Sequence, residues 1–314
     1  MRFIEALKDG DRLTEVYLCK TRSTAMTKTG KEYENVILQD KTGSLDAKIW
    51  DPTSAGIGDY EALDYVEVTG VVTSYNGMLQ LKIERLRKVS EGEYEPSNYL
   101  PCSRYSIEEM FTELMSYVDS VENTFIKALL QKFFVEDADF ISLFKSRSAA
   151  KSMHHGFMGG LLEHSLSVTR LCDKLAAQYS MLDRDLLIAC AMLHDVGKVR
   201  EFSAFPQNDY TDDGNLLGHI VMGSEMISEK ARLIPDFPKN LESEMKHCIL
   251  SHHGELEYGS PKKPVMAEAM ALSMADNLDA KMEMMLEIFE AKDDTVEWLG
   301  YNRLFESNLK RTRL

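Results

Sequence analysis

The stretch between residues 186 and 198 constrains this 314-residue chain more than any other. Leu186, Leu187, Ile188, Ala189, Cys190, Ala191, Met192 and Leu193 run without a polar interruption, stop on the adjacent pair His194 and Asp195, and continue as Val196, Gly197 and Lys198. Such a run, with Asp183 and Asp185 as candidate N-caps and Gly197 just past the pair, predicts a buried helix of about three turns. Its polar end then presents His194 and Asp195 from inside a domain. An imidazole beside a carboxylate suits a first-row divalent cation, and the carboxylate keeps a second oxygen free to reach another ion. A His-Asp pair at a helix end also serves as a cap, so the metal reading needs partners elsewhere.

The partners follow from where histidine occurs. All eight histidines lie between residues 154 and 253, and none falls in the first 153 residues. His164 sits early in an amphipathic segment opened by Gly159 and Gly160, His219 follows Gly218, His252 and His253 precede Gly254, and Asp276 lies in a further helical segment. Clustering of this kind argues for one shared site. His154 and His155, just before the segment of His164, are candidates for substrate contact, whereas His247 is expected behind the site or at the surface.

The order His164, His194-Asp195, Asp276 resembles the four-ligand signature of the HD phosphohydrolase superfamily. That resemblance implies an all-helical fold that holds a divalent metal and hydrolyses phosphate esters. It puts His164, His194, Asp195 and Asp276 on a first ion, and implies a second held by His219, His252 and His253 with Asp195 bridging, hence one or two ions per chain. Some two-metal relatives carry a Glu one turn before the first His, where this chain has Gly160. Mn²⁺ is the expected ion, and the same His and Asp donors accept Fe²⁺, Co²⁺ or Zn²⁺. A metal-activated water would be the nucleophile. Asp195 and Lys198 are the catalytic candidates, Lys198 also binding substrate by meeting charge on the phosphate; its competing role is that of a cation favoured at a helix C-terminus.

The first 90 residues are of another kind. Apolar and polar residues alternate over 16–20, 33–39, 44–50, 65–72 and 79–83, separated by turn signals at 40–43 and 75–77. Five short strands in so few residues predict a small barrel, and the run 35–50 resembles OB-fold domains of the nucleic-acid-binding type. Base stacking is expected from Tyr33, Trp50 and Tyr75, and phosphate contact from Lys20, Arg22, Lys28, Lys31 and Lys48. Against these stand the plainer roles of barrel core for an aromatic and solvated face for a lysine.

Net charge is −15, which counts against a polyanionic partner until its location is considered. Residues 1–90 hold 13 Lys and Arg against 14 Asp and Glu, so almost all the excess negative charge lies beyond them. Residues 91–105, polar and carrying Pro96 and Pro101, read as a linker. Ser106 with Glu109 then resembles a capping box opening a helix, a second helix is expected from about 123 to 134, and the acidic stretch 283–297 reads as a solvated helical face.

The expected architecture is therefore multidomain α and β: an OB-like five-stranded β-barrel over 1–90, a linker over 91–105 and an all-α HD domain over 106–314. Together these resemble the YhaM-type 3′→5′ exoribonucleases over nearly the whole length, which implies a substrate of single-stranded RNA, with single-stranded DNA as a second candidate. Two rivals use the same residues: an HD phosphodiesterase acting on a nucleotide or cyclic dinucleotide, and a nucleic-acid-binding protein with an idle metal site. Five scattered cysteines, no apolar run long enough for a membrane span and no leader point to a cytoplasmic protein. A second copy of the chain is a further candidate partner.

Overall fold

The computed structural model describes residues 1–151 and 156–313, so the expectation for His154 and His155 lies outside the described residues. Two compact units make up the chain, Met1–Pro101 and Cys102–Leu314.

In the first unit, strands β1 (Arg12–Met26), β2 (Glu32–Asp40), β3 (Gly43–Ile49), β4 (Tyr65–Tyr75) and β5 (Met78–Lys88) close a barrel in the order β1-β2-β3-β5-β4. The β3 and β5 strands run parallel and every other pair antiparallel, the strand order of an OB-fold. The expected alternation holds in β2, where Val36 and Leu38 are buried between partly covered neighbours. Strand β1 is longer than its alternation indicates because a bulge between Cys19 and Thr21 bends it, letting Arg12–Leu18 pair with β4 and Leu18–Met26 with β2. Asn76 and Gly77, at φ of 52° and 80°, form the two-residue turn from β4 to β5.

The expected linker is in large part attached to this barrel. The ring of Tyr94 stacks on Tyr65 at 3.7 Å between centroids, and Tyr99 meets Tyr65 edge-on at 5.2 Å. The Gln39 side-chain amide donates to the Tyr99 carbonyl at 3.1 Å, and Lys41 N–H donates to the Asn98 carbonyl at 2.8 Å. Prolines and polar residues here mark irregular chain, and the tyrosines among them tie it down.

The second unit begins as expected. Ser106 Oγ accepts from Glu109 N–H at the start of α1 (Ile107–Ser120), and Asn123 caps α2 (Thr124–Phe134). After α3 (Ala138–Ser146) come α4 (Gly160–Gln178) and the predicted central helix α5 (Arg184–Leu193). Every residue from Leu186 to Leu193 is buried, with α4, α9 (Lys239–Ser251) and α10 (Ala267–Glu290) around it. Asp183 is its N-cap, accepting from Leu186 N–H at 2.9 Å. Asp185 instead accepts from the backbone N–H groups of Glu122 and Asn123, fixing the turn between α1 and α2. Truncating Leu187 or Ile188 to Ala in so closed a core would cost about 2–5 kcal/mol.

Past His194 the chain turns through Gly197 into α6 (Lys198–Glu201), followed by α7 (Asp212–Leu216) and α8 (Gly218–Ala231). A Cβ on Gly197 would lie 2.0 Å from the carbonyl oxygen of His219 and 2.8 Å from the nitrogen of Gly223. Only glycine lets α8 pass this close, and that approach carries His219 to the His-Asp pair. The all-α expectation fails at the end of the chain. Helix α10 stops at Glu290, inside the acidic stretch, and β6 (Trp298–Asn302) pairs antiparallel with β7 (Ser307–Lys310), with Leu309 buried beneath. Among the described residues no helix is long and apolar enough to cross a membrane.

Candidate metal centre

The second unit gathers side chains from five helices into one place. His164 comes from α4, His194 from the C-cap of α5 with Asp195 next to it, His219 from the first turn of α8, His252 and His253 from the end of α9, and Asp276 from α10. His164 Nε2 lies 3.2 Å from His194 Nε2, 3.5 Å from Asp195 Oδ2 and 3.1 Å from Asp276 Oδ1. Asp195 Oδ2 is 3.3 Å from His194 Nε2. The other oxygen, Asp195 Oδ1, faces His219 Nε2 at 3.5 Å and His252 Nε2 at 3.8 Å, and the His252 and His253 rings lie 4.3 Å apart between centroids. One buried carboxylate thus stands between two groups of donors, His164 with His194 and the nearby Asp276 on one side, His219 with His252 and His253 on the other.

The far nitrogen of each imidazole is already held. Nδ1–H donates to the Ala191 carbonyl from His194 and to the Ile249 carbonyl from His252, each at 2.7 Å, and to the Tyr258 carbonyl from His253 at 2.9 Å. His164 Nδ1–H donates to Asp279 Oδ2 at 2.8 Å, and His219 Nδ1–H to Glu201 Oε1 at 3.0 Å. Carbonyl and carboxylate oxygens only accept, so the proton belongs on Nδ1 and the Nε2 lone pair is aimed inward, the arrangement a metal-ligating histidine needs. Among the described residues, Asp195 Oδ1, His219 Nε2 and His252 Nε2 are buried and find no hydrogen-bond partner. Orphaned acceptors converging on one point fit a cation. The donor set, imidazole and carboxylate without sulfur, is that of a hard-to-borderline divalent ion.

Glu201 and Asp279 were not singled out from sequence. Asp279 is one turn after Asp276 and Glu201 three residues after Lys198, spacings that put each near the site, but their role as imidazole holders depends on how the helices pack.

Charges follow from the same packing. Burial works against the Asp195 carboxylate, yet the Lys198 ammonium and the His194 ring hold its pKa well below the ordinary range. Burial also opposes charge on His164, but hydrogen bonds with Asp276 and Asp279 raise its pKa to about 10. Without an ion, the two carboxylates thus favour a second proton on His164, at Nε2, which a bound cation would displace. His252 is pushed the other way, by burial first and by His253 next, and His253 by burial and His219, so both are neutral and ready to donate a lone pair.

Lys198, from the first turn of α6, contacts Asp195 Oδ2 at 2.6 Å, and although burial disfavours its charge the Asp195 carboxylate raises its pKa and keeps it cationic. It shares a cavity of about 410 Å³ with His164, Asp195, His252, His253 and Asp276.

The barrel candidates fall into three sets. Tyr33 and Trp50 stack at 5.0 Å between centroids, and Lys48 Nζ sits 5.4 Å over the Tyr33 ring while bonding Asn35 Oδ1, a compact aromatic and cationic patch. Trp50 is 43% exposed and Tyr75, at the β4–β5 turn, 68%. Lys20, Lys28 and Lys31 are exposed, Lys31 lying 4.0 Å from Asp51. Arg22 departs from expectation. Its guanidinium bonds buried Glu34 at 2.6 Å and the Tyr60 carbonyl, and lies over the Tyr60 ring at 4.4 Å, so its charge is committed to the barrel itself.

Known proteins share both parts of this architecture. The HD domain family matches residues 161–281, which contain every ligand candidate. The 3′-5′ exoribonuclease YhaM of Bacillus velezensis is 36% identical over 283 residues and that of Bacillus subtilis 37% identical over 281, each alignment covering 88% of this chain and 87% of the relative. The chain belongs to the YhaM family. Among solved structures it is similar to the second OB-fold domain of replication protein A from Methanococcus maripaludis, at 19% identity and a TM-score of 0.24, covering 30% of this chain and 98% of that domain. The OB assignment rests on strand order and not on that likeness.

Proposed function

We propose that this protein is a metal-dependent 3′→5′ exonuclease that hydrolyses the phosphodiester bonds of single-stranded RNA. The observation that carries the reading is the alignment with YhaM exoribonucleases through both units, with the Asp195 carboxylate set between two groups of imidazoles at its centre. His164, His194, Asp195 and Asp276 would hold one divalent ion, and His219, His252 and His253, with the second oxygen of Asp195, another. Such an ion polarises phosphate oxygens and makes water a nucleophile near neutral pH. Mn²⁺ is the ion we propose. The residues around it orient and balance charge: Asp279 and Glu201 fix the rings of His164 and His219, and the Lys198 ammonium, already against Asp195, meets charge that builds on the phosphate.

In this reading the barrel holds the strand. The Tyr33–Trp50 stack with Lys48 offers a flat ring surface beside a cation, and the exposed Tyr75, Lys20, Lys28 and Lys31 are further candidate contacts on the barrel. Stacking is indifferent to the sugar, so single-stranded DNA is a second strand this face accepts. The buried thiols of Cys19, Cys172, Cys190 and Cys248 fit a cytoplasmic setting. A homo-oligomer is supported by the exposed row Met270, Met274, Leu278, Met282 and Leu286, one side chain per turn of α10, and a monomeric mass in sedimentation would overturn it. The test of activity is single-stranded RNA labelled at its 5′ end and incubated with Mn²⁺: a ladder shortening one nucleotide at a time from the 3′ end is expected. Internal cuts, or hydrolysis of cyclic dinucleotides with RNA untouched, would overturn the assignment.

A further inference from the structure

The cavity that holds the metal candidates has a second end, which the chemistry of hydrolysis does not use. Its ionic wall is His164, Asp195, Lys198, His252, His253 and Asp276, while the remaining lining is Ala149, Tyr258, Ala280 and Met284 with one amide, Asn277. Asp276, Ala280 and Met284 follow one another at intervals of four on α10, so the helix leads from the ionic wall to an apolar shelf about 6 and 12 Å along its axis. Tyr258 ends the short turn Leu256–Tyr258, and its carbonyl accepts the proton of His253 Nδ1, which ties the position of this ring to the second group of imidazoles. Tyr258 is 67% exposed. An exposed aromatic, a methionine and an alanine beside this ionic wall match a ligand with a charged group at one end and a flat apolar one at the other.

Resting on the exonuclease reading, we propose that this shelf seats the 3′-terminal nucleoside of the strand, the base stacking on Tyr258 and packing against Met284 while its 5′-phosphate lies at the ionic wall. The stacking ring has no preference among bases and methionine adapts its shape, so the seat accepts each nucleotide in turn as the strand shortens. Tyr258 is thus a positioning residue, acting through where it holds the terminal nucleotide.

The test is the binding of adenosine 5′-monophosphate and of ribose 5-phosphate to the Mn²⁺-loaded full-length protein by calorimetry, beside the RNA assay. The wild type should bind the nucleotide about 5- to 150-fold more tightly than the sugar phosphate, the worth of one stacked base. Tyr258→Ala should lose that preference and Tyr258→Phe should keep it. Equal affinity of the wild type for the two ligands, or an undiminished preference in Tyr258→Ala, overturns the seat. Should Tyr258→Ala fail to fold, the wild-type ratio and Tyr258→Phe still decide. A wild type that prefers the nucleotide but leaves RNA intact keeps the seat and sinks the exonuclease reading.

Discussion

In the helical unit Asp195 Oδ1, His219 Nε2 and His252 Nε2 are buried without a hydrogen-bond partner among the described residues, whereas in the barrel Arg22, Lys48, Tyr33 and Trp50 are engaged with one another or with neighbours. A buried polar atom left unpaired costs about 1–3 kcal/mol, so several around one point are tolerable when an ion completes them. A surface that stacks bases and touches phosphates needs no unpaired buried atoms, since its groups work while partly exposed. An ion site is therefore visible as missing bonds, and a strand-binding face as an arrangement of satisfied ones.

The strongest challenge to that contrast is Asp195→Ala. Because one carboxylate faces both groups of imidazoles, metal content measured by mass spectrometry should fall to background and RNA hydrolysis should vanish, with helical circular dichroism retained. If His219, His252 and His253 hold a second ion, His219→Ala should lower the metal stoichiometry by one, and an unchanged stoichiometry there would falsify that second site. Next in size is Asp279→Asn, which leaves the ligands in place but loosens His164: metal affinity should drop about 10- to 100-fold. In the barrel, Trp50→Ala should weaken single-stranded RNA binding by about fivefold or more in fluorescence anisotropy. Arg22→Ala should instead leave Glu34, 3% exposed, without its charge partner and lower the melting temperature, with little effect on RNA affinity. Equal affinity losses for the two variants would break the distinction drawn between them.

A separate effect is expected of pH. His164 has a pKa of about 10 in the folded metal-free protein against 6.5 for the free side chain. A raised pKa means its contribution to stability is complete below pH 6.5 and is lost as pH rises toward 10. Thermal melts of chelated protein across that window should show the decline. Metal binding near pH 8 should release a proton, which calorimetry in two buffers of different ionisation enthalpy detects.

What was legible in the sequence was chemical identity carried by order. The apolar run before His194 has one reading because a helix without a polar face must be buried, and histidines confined to one hundred residues have few reasons to be so. The strands were legible through alternation and through Asn76-Gly77. Side chains whose meaning is set by a neighbour from a distant segment were not: Arg22 looks like a strand-binding cation until Glu34 is seen across the β1–β2 pair, Tyr94 and Tyr99 look like linker until Tyr65 is found beneath them, and the β6–β7 hairpin lies beyond an acidic run that reads as helix.

Each of the five imidazoles that face the centre is gripped from behind by the polypeptide, three by main-chain carbonyls and two by carboxylates. The shape of the cage thus belongs to the fold rather than to its occupant. Protein stripped by a chelator should remain a ready receptacle, regaining full turnover within the mixing time of added Mn²⁺ instead of at the pace of refolding.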